Sequence, residues 1–170
     1  MKRTFSVLCC VVLCSLPALA QKKAAGAAMT DQQFIDFAGQ TDMVEANLGQ
    51  MAATSASSQP VKDYAQMLVT DHTSDFGQLN SLGQQASLTV PTAIDAAHNK
   101  AAIDPFQKLK GAAFDHHYIQ EMIAGHTKAI AIYKKEAADG QNAALKAYAE
   151  QTLTTLQKHL DGAKALEKAK

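Results

Sequence analysis

The chain has 170 residues, of which 47% are apolar, 19% charged and 6% aromatic, with no Trp and a formal net charge of zero. One domain is expected at this length, and the balance of apolar over charged residues excludes a disordered chain. A neutral chain offers no basic face, so nucleic acid is not an expected partner. Composition and pattern speak to compartment and architecture, not to a biochemical activity.

Residues 1–20 read as a cleaved signal peptide. Lys2 and Arg3 form a short positive start, Phe5 to Leu16 is an apolar run, and Ala18-Leu19-Ala20 supplies a small-x-small cleavage site. The run is shorter than the roughly 20 apolar residues that a bilayer span needs, which makes an uncleaved anchor the weaker reading. Lipid attachment is disfavoured too, because Cys9, Cys10 and Cys14 follow Leu, Cys and Leu rather than a small residue. Cleavage after Ala20 removes two cations and all three cysteines, leaving 14 Lys+Arg against 16 Asp+Glu and keeping the six His. Export to the periplasm or cell envelope follows, with outer-membrane association left open. Without cysteine the mature chain cannot use disulfides; at its length a single core buries roughly 70% of the unfolded surface, so packing can suffice.

Gln21 to Ala28 reads as a flexible lead-in to a bundle domain over residues 29–170. The remainder lacks β-branched alternation and is rich in Ala, Leu, Gln, Lys and Glu, so the expected fold class is all-α. A first helix starts at Thr30, whose Gln33 three residues on completes a capping-box pattern. Its stripe is Phe34, Phe37, Thr41, Val44, Leu48, Met51 and Ser55. A turn at Ser55–Gln59 follows, and Pro60 suits the start of a second helix carrying Val61, Ala65, Leu68, His72, Phe76 and Leu79. Gln84 to Lys100 contains Val90-Pro91 and breaks the period. Its roughly 15 residues reach ~45 Å when extended, enough to run the length of a bundle, with a short helix expected within Ala93–Asn99. The third helix follows Pro105, with Asp115, Ile119, Met122, His126, Ile130 and Tyr133 inward, and Asp139-Gly140 ends it. The fourth presents Leu145, Ala149, Thr152, Leu156, His159, Ala163 and Leu166. Two tight hairpins joined by a longer connection make a four-helix bundle.

His72, His126 and His159 each replace an apolar residue in the stripe of a different helix. With the first turn centred near residue 58, Glu45 lies level with Asp71 and His72. With the second near 140, His126 lies opposite 154–155, and His159 is offset by ~6 Å. Helices packed roughly 8–10 Å apart let imidazoles span that gap, and Glu45, flanked by Ala38 and Ala52, has room to turn inward. Imidazole and carboxylate from facing helices are what a transition metal inside a bundle needs. The candidate ligands are therefore Glu45, Asp71, His72, His126 and His159, with Asp75, Asp115, Tyr118 and Met122 as supporting residues. A thioether from Met122 would suit a soft ion such as Cu(I). A histidine in a core stripe is more commonly a hydrogen-bonded core residue. Asp71 or Asp75 could hold His72, and Thr152 or Thr155 could meet His126, so the packing reading stays beside the metal reading.

Other features are weaker. Only one of His116 and His117 can face inward, Asp95-x-x-His98 falls in the connection, and Met43, Met51 and Met67 read as core filler. Lys158, Lys164, Lys168 and Lys170 suit a helix C-terminus. No Walker loop, dinucleotide turn, HExxH or Gly-x-Ser-x-Gly occurs, so no catalytic residues are assigned. No amphipathic β pattern or second apolar segment supports membrane insertion.

The segments FAGQTDMVEANLGQMA, VKDYAQMLVTDH, GAAFDHHYIQEMIAGHTKAI and LKAYAEQTLTTLQKHL occur in this order after the leader. Over residues 29 to 166 the chain resembles the bacterial exported proteins grouped as domain of unknown function 4142, often labelled predicted outer membrane proteins. The resemblance implies a ferritin-like four-helix bundle, with signature positions at Glu45, Asp71, His72, Phe114, Asp115, Tyr118, His126 and His159; it implies no activity. Di-iron bundles take Glu-x-x-His from two helices, and this chain has none. The leading expectation is thus a non-enzymatic envelope bundle with a role in stress tolerance and an internal metal site. A ferritin-type metal oxidation or storage protein is the first alternative. A purely structural or partner-binding bundle, self-associating or held by an envelope protein, is the second.

Overall fold

A computed structural model describes residues 29–169; the leader and lead-in expected over 1–28 lie outside the described residues. The elements are α1 (Asp31–Ser55), α2 (Gln59–Ala86), a one-turn α3 (Ala96–His98), α4 (Gly111–Asp139) and α5 (Ala143–Lys168). Among the described residues there is no strand, and no helix is long and apolar enough to cross a membrane. The four long helices are the expected bundle. Pro105 falls in a 3-10 turn (Asp104–Phe106) rather than at the head of the third long helix, which begins at Gly111.

Local chemistry fixes the ends. The Thr30 hydroxyl accepts from the Gln33 N–H while the Gln33 side chain accepts from the Thr30 N–H, closing the capping box. Asn142 caps α5 by accepting from the Ala144 and Leu145 N–H groups. The turn between α1 and α2 is tied to α4, because the Asp115 carboxylate accepts from Ser57 N, Ser57 Oγ and Ser58 N at 3.0, 2.6 and 2.9 Å. At the opposite end Asn142 N donates to Asp31 Oδ1 at 3.3 Å. These two ties set the topology. Helix α4 starts where α2 starts, so α2 and α4 run parallel and the connection must traverse the whole bundle.

That connection lies along α1. Gln32 exchanges two hydrogen bonds with the Thr89 backbone, and Gln40 donates to Ala93 O and accepts from Asp95 N. Helix α1 is consequently covered on more sides than a stripe predicts. Its buried set includes Ile35, Ala38, Gln40, Asp42, Glu45 and Ala52, while Phe37, Thr41 and Met51 are only half-buried. The expected stripe is thus rotated. One reason is Gly49, where a Cβ would sit 2.6 Å from Val69 Cγ2 and 2.9 Å from Ala65 O. That close approach of α2 turns the flank bearing Asp42, Glu45 and Ala52 into the bundle.

The apolar interior is two clusters rather than one. Leu48, Leu68, Phe114, Tyr118 and Met122 belong to the cluster nearer the α1–α2 turn. Phe34, Leu79, Ile130, Tyr133, Leu145 and Leu156 belong to the other. His72 and His126 fall between the two clusters along α2 and α4, and His159 comes at the end of the second cluster on α5, next to Leu160. A polar layer cuts the core at mid-height.

Candidate metal centre

Each of three helices sends one imidazole into this layer: His72 from α2, His126 from α4 and His159 from α5, exposed by only 3%, 1% and 1%. Their ring centroids are 5.2–5.8 Å apart, and one nitrogen from each lies within 4.8 Å of the other two. The fourth long helix, α1, contributes carboxylates. Asp42 and Glu45, one turn apart, are both buried, and Glu45 Oε1 stands 3.8 Å from His126 Nδ1. A Cβ at position 125 would meet Glu45 Oε1 at 3.2 Å, so Gly125 leaves α4 open to that carboxylate.

The outer nitrogen of every ring is tied to an acceptor. His72 Nδ1 is 2.9 Å from Asp42 Oδ1, His126 Nδ1 is 2.8 Å from Met122 O, and His159 Nε2 is 2.9 Å from Asp71 Oδ2. A backbone carbonyl only accepts, so His126 carries its proton on Nδ1; carboxylate partners assign the same outer proton to His72 and His159. The inner nitrogens, His72 Nε2, His126 Nε2 and His159 Nδ1, then present lone pairs to one another. His126 Nε2 and His159 Nδ1 are 3.2 Å apart, and two bare lone pairs at that distance repel unless a proton or a cation intervenes. His72 Nε2 has no protein partner at all. Five buried side-chain atoms among the described residues lack one, and three of them, Asp42 Oδ2, Glu45 Oε2 and His72 Nε2, belong to this layer. Native interiors rarely leave such groups unsatisfied without an unseen water or ion.

The electrostatics favour an added positive charge. Burial pushes the Asp42 carboxyl up to about 7, partly countered by the His72 contact. Burial alone would lower His72, but hydrogen bonding to Asp42 and the charge of Glu45 outweigh it and hold the imidazole above its ordinary range. Burial brings His159 down to about 4, with Asp71 opposing and the two neighbouring imidazoles assisting. His159 is therefore a poor site for a proton at neutral pH, and a proton entering the layer goes to His72 instead. The donor set fits a transition metal: three imidazoles, each with a second partner on its outer nitrogen, and two carboxylates for charge balance.

Of the residues expected at the site, His72, His126, His159 and Glu45 come together. Asp71 is half-exposed and meets the outer nitrogen of His159 rather than the shared centre. Asp75 accepts from the Tyr148 hydroxyl at 2.8 Å and borders the same region. Met122 serves through its carbonyl, with its side chain in the apolar cluster. Tyr118 is buried with a partnerless hydroxyl, packed on Tyr64, Phe106 and Phe114. Asp115 is not at the site; it holds the α1–α2 turn. In the connection the Asp95–His98 pair is exposed, and on α4 His116 and His117 are both exposed. The residue that stripe reading misses is Asp42. Reflection about residue 58 sets it level with residue 74, and its spacing from Glu45 puts it on the same helix flank, which is the signal that identifies it.

A crossover four-helix bundle with a histidine layer buried at its centre is the class that fold and site define. Residues 16–166 match the family described as "Domain of unknown function (DUF4142)", and the chain belongs to that family. No curated protein matches the chain in sequence. Among solved structures, the fold is shared with CopM in its Cu(II)-bound form at a TM-score of 0.68, covering 82% of this chain and 96% of that one. CopM in its Cu(I)-bound and Ag-bound forms matches at 0.65 and 0.64, covering 83% of this chain and 97% of each of those. Identity is 18% in all three, a likeness of fold.

Proposed function

We propose that this protein is an exported, non-enzymatic bundle of the cell envelope that binds one transition-metal ion, with copper the leading candidate, on His72, His126 and His159. The observation that carries the reading is the convergence of three buried imidazoles, one nitrogen from each lying within 4.8 Å of the other two, while the outer nitrogens are occupied. Asp42, the Met122 carbonyl and Asp71 orient the rings, and Glu45 supplies compensating charge, so the carboxylates expected as ligands act around the ion. Imidazole nitrogen suits copper, zinc and nickel alike; the fold likeness to a protein with Cu(I)-, Cu(II)- and Ag-bound forms ranks copper first. The leader pattern of residues 1–20 supports export, and an envelope position suits a role in tolerance of metal stress. The ferritin-type alternative gains nothing from this layer, whose grouped donors are three histidines and no carboxylate.

Metal analysis of untagged protein recovered from the export compartment, followed by titration of the metal-free chain with Cu(II), Cu(I) and Zn(II), tests the reading. Close to one equivalent per chain, lost in His126→Leu, is expected. Less than a tenth of an equivalent of any transition metal, with melting unchanged by a chelator, overturns it. A purely structural layer is the second reading, favoured by the His126–His159 contact at hydrogen-bonding distance; it predicts that overturning result.

A further inference from the structure

Two cavities reach the histidine layer from outside. One, of about 330 Å³, opens between α2 and α5, and both His72 and His159 form part of its wall. The rest of that wall is mostly polar, with Asp71, Asp75, Ser74, Thr152 and Thr155 among it. The other, of about 290 Å³, lies on the α1 side of α2 and touches His72 alone of the three histidines, its wall mixing Asp42, Asn47 and Thr73 with Met43, Ala46 and Phe76.

We propose that the cleft between α2 and α5 is the loading route, by which a hydrated transition-metal cation reaches and leaves the imidazole nitrogens, and that the His159 ring is its moving part. The inference rests on the metal reading above and deepens it. A cation entering a dry layer must shed water stepwise, and each lost water needs a replacement oxygen. Carboxylates, hydroxyls and side-chain amides line this cleft and lead to two of the three imidazoles, whereas the α1-side cavity reaches one imidazole and offers a single carboxylate, Asp42, which is buried and already held by His72. Charge points the same way. Asp71 and Asp75 face a single cation, Lys158, in the wall, and a cleft with excess negative charge concentrates cations.

The anchors of the three rings differ in the same sense. His72 is held by Asp42, whose side chain is 2% exposed, and His126 by a helix carbonyl in the core. His159 is held by Asp71, whose side chain is 31% exposed and lies at the cleft wall. Only that anchor can let go of its ring without opening the apolar clusters. Released from Asp71, the His159 ring turns and uncovers the inner nitrogens from the cleft side.

Stopped-flow mixing of the metal-free protein with Cu(II) sulfate in a non-coordinating buffer tests this, with release followed by transfer to a chromophoric chelator. Thr155→Trp and Ser74→Trp, at half-buried and exposed positions of the wall, fill the cleft; Ala46→Trp fills the other cavity. The expected result is loading and release both slowed at least tenfold by the first two, with affinity within threefold of wild type and one ion per chain. Ala46→Trp loads at the wild-type rate, and Lys158→Glu loads several-fold faster at low salt, an advantage that vanishes at high salt. Wild-type rates in both cleft variants, slowing only in Ala46→Trp, or a loss of affinity equal to the loss of rate overturns the route. Failure of the wild-type chain to bind Cu(II) defeats the metal site itself, a separate outcome.

Discussion

His126→Leu separates a ligand from a packing residue. The imidazole makes two contacts, to Met122 O and to His159 Nδ1, each contributing about 0.5–1.5 kcal/mol net. Leucine gives these up, but it also removes a buried polar ring at the junction of two apolar clusters, and such exchanges are often neutral. Metal-free stability should therefore change by less than about 1 kcal/mol. The metal response should change far more. Outer partners of metal ligands are worth about 10–100-fold in affinity, so losing one of three donors costs at least about 100-fold. At free metal about 1,000 times the wild-type Kd, binding stabilises the native state by about 4 kcal/mol, which raises the melting temperature by roughly 8–16 °C at this chain length. At the same concentration a 100-fold weaker site yields about 1.4 kcal/mol and roughly 3–6 °C. Thermal melts with and without Cu(II) read the difference directly. A full metal-induced rise in His126→Leu refutes the assignment, as does the lack of any rise in wild type. A metal-free loss above about 2 kcal/mol would instead place His126 in a fully satisfied polar network.

Three further perturbations probe separate parts. Asp71→Ala should weaken metal binding about 10–100-fold in a chelator competition while leaving metal-free melting nearly unchanged, because Asp71 is half-exposed; unaltered affinity would refute its orienting role. In the metal-free fold the Asp42 carboxyl titrates at about 7 against 3.8 ordinarily, so between those values the native state holds a proton that the unfolded chain has released. Stability from this group is lost as pH rises through that window, by up to about 4 kcal/mol. Asp42→Asn removes the loss, and denaturation at pH 4 and pH 7 should show the variant gaining on wild type; a constant difference refutes it. Asp115→Ala removes three hydrogen bonds from the α1–α2 turn and should cost about 2–4 kcal/mol in urea denaturation with metal affinity within threefold. Lost affinity would mean that Asp115 reaches the site after all.

The helices were legible because each long one carries an apolar period and a boundary signal: Thr30 with Gln33, Pro60, and Asp139-Gly140. The histidine layer was legible because three stripes are broken at one depth, which turn-centred arithmetic can compare. What the stripe could not give was the rotation of α1. Large residues such as Phe37 and Met51 look like the inner face, yet the connection gripped by Gln32 and Gln40 buries an extra side, and Gly49 lets α2 come close enough to turn Asp42 and Glu45 inward. Asp115 shares a face with His126 but precedes it by eleven residues, about 16 Å along a helix, so it serves the turn instead. Asp71 precedes His72 in sequence yet holds His159, a pairing set by how α2 packs on α5 and written in neither helix alone.

The composition of the layer argues against a role confined to folding. Leucine at the three histidine positions would join the two apolar clusters into one, and replacing buried polar sets in this way is commonly neutral or stabilising. The chain instead inserts two carboxylates from α1 and leaves one oxygen of each without a partner, at about 1–3 kcal/mol for each unsatisfied group. That cost is local to one depth of the bundle. It falls on groups whose deficits are complementary: inner nitrogens lacking an electrophile and carboxylates lacking a countercharge. A single divalent cation would supply both at once, taken by the nitrogens and offsetting Asp42 and Glu45. An additional proton supplies only one: it sits on His72, which is raised beside Asp42, and leaves His159, which is lowered, without an electrophile.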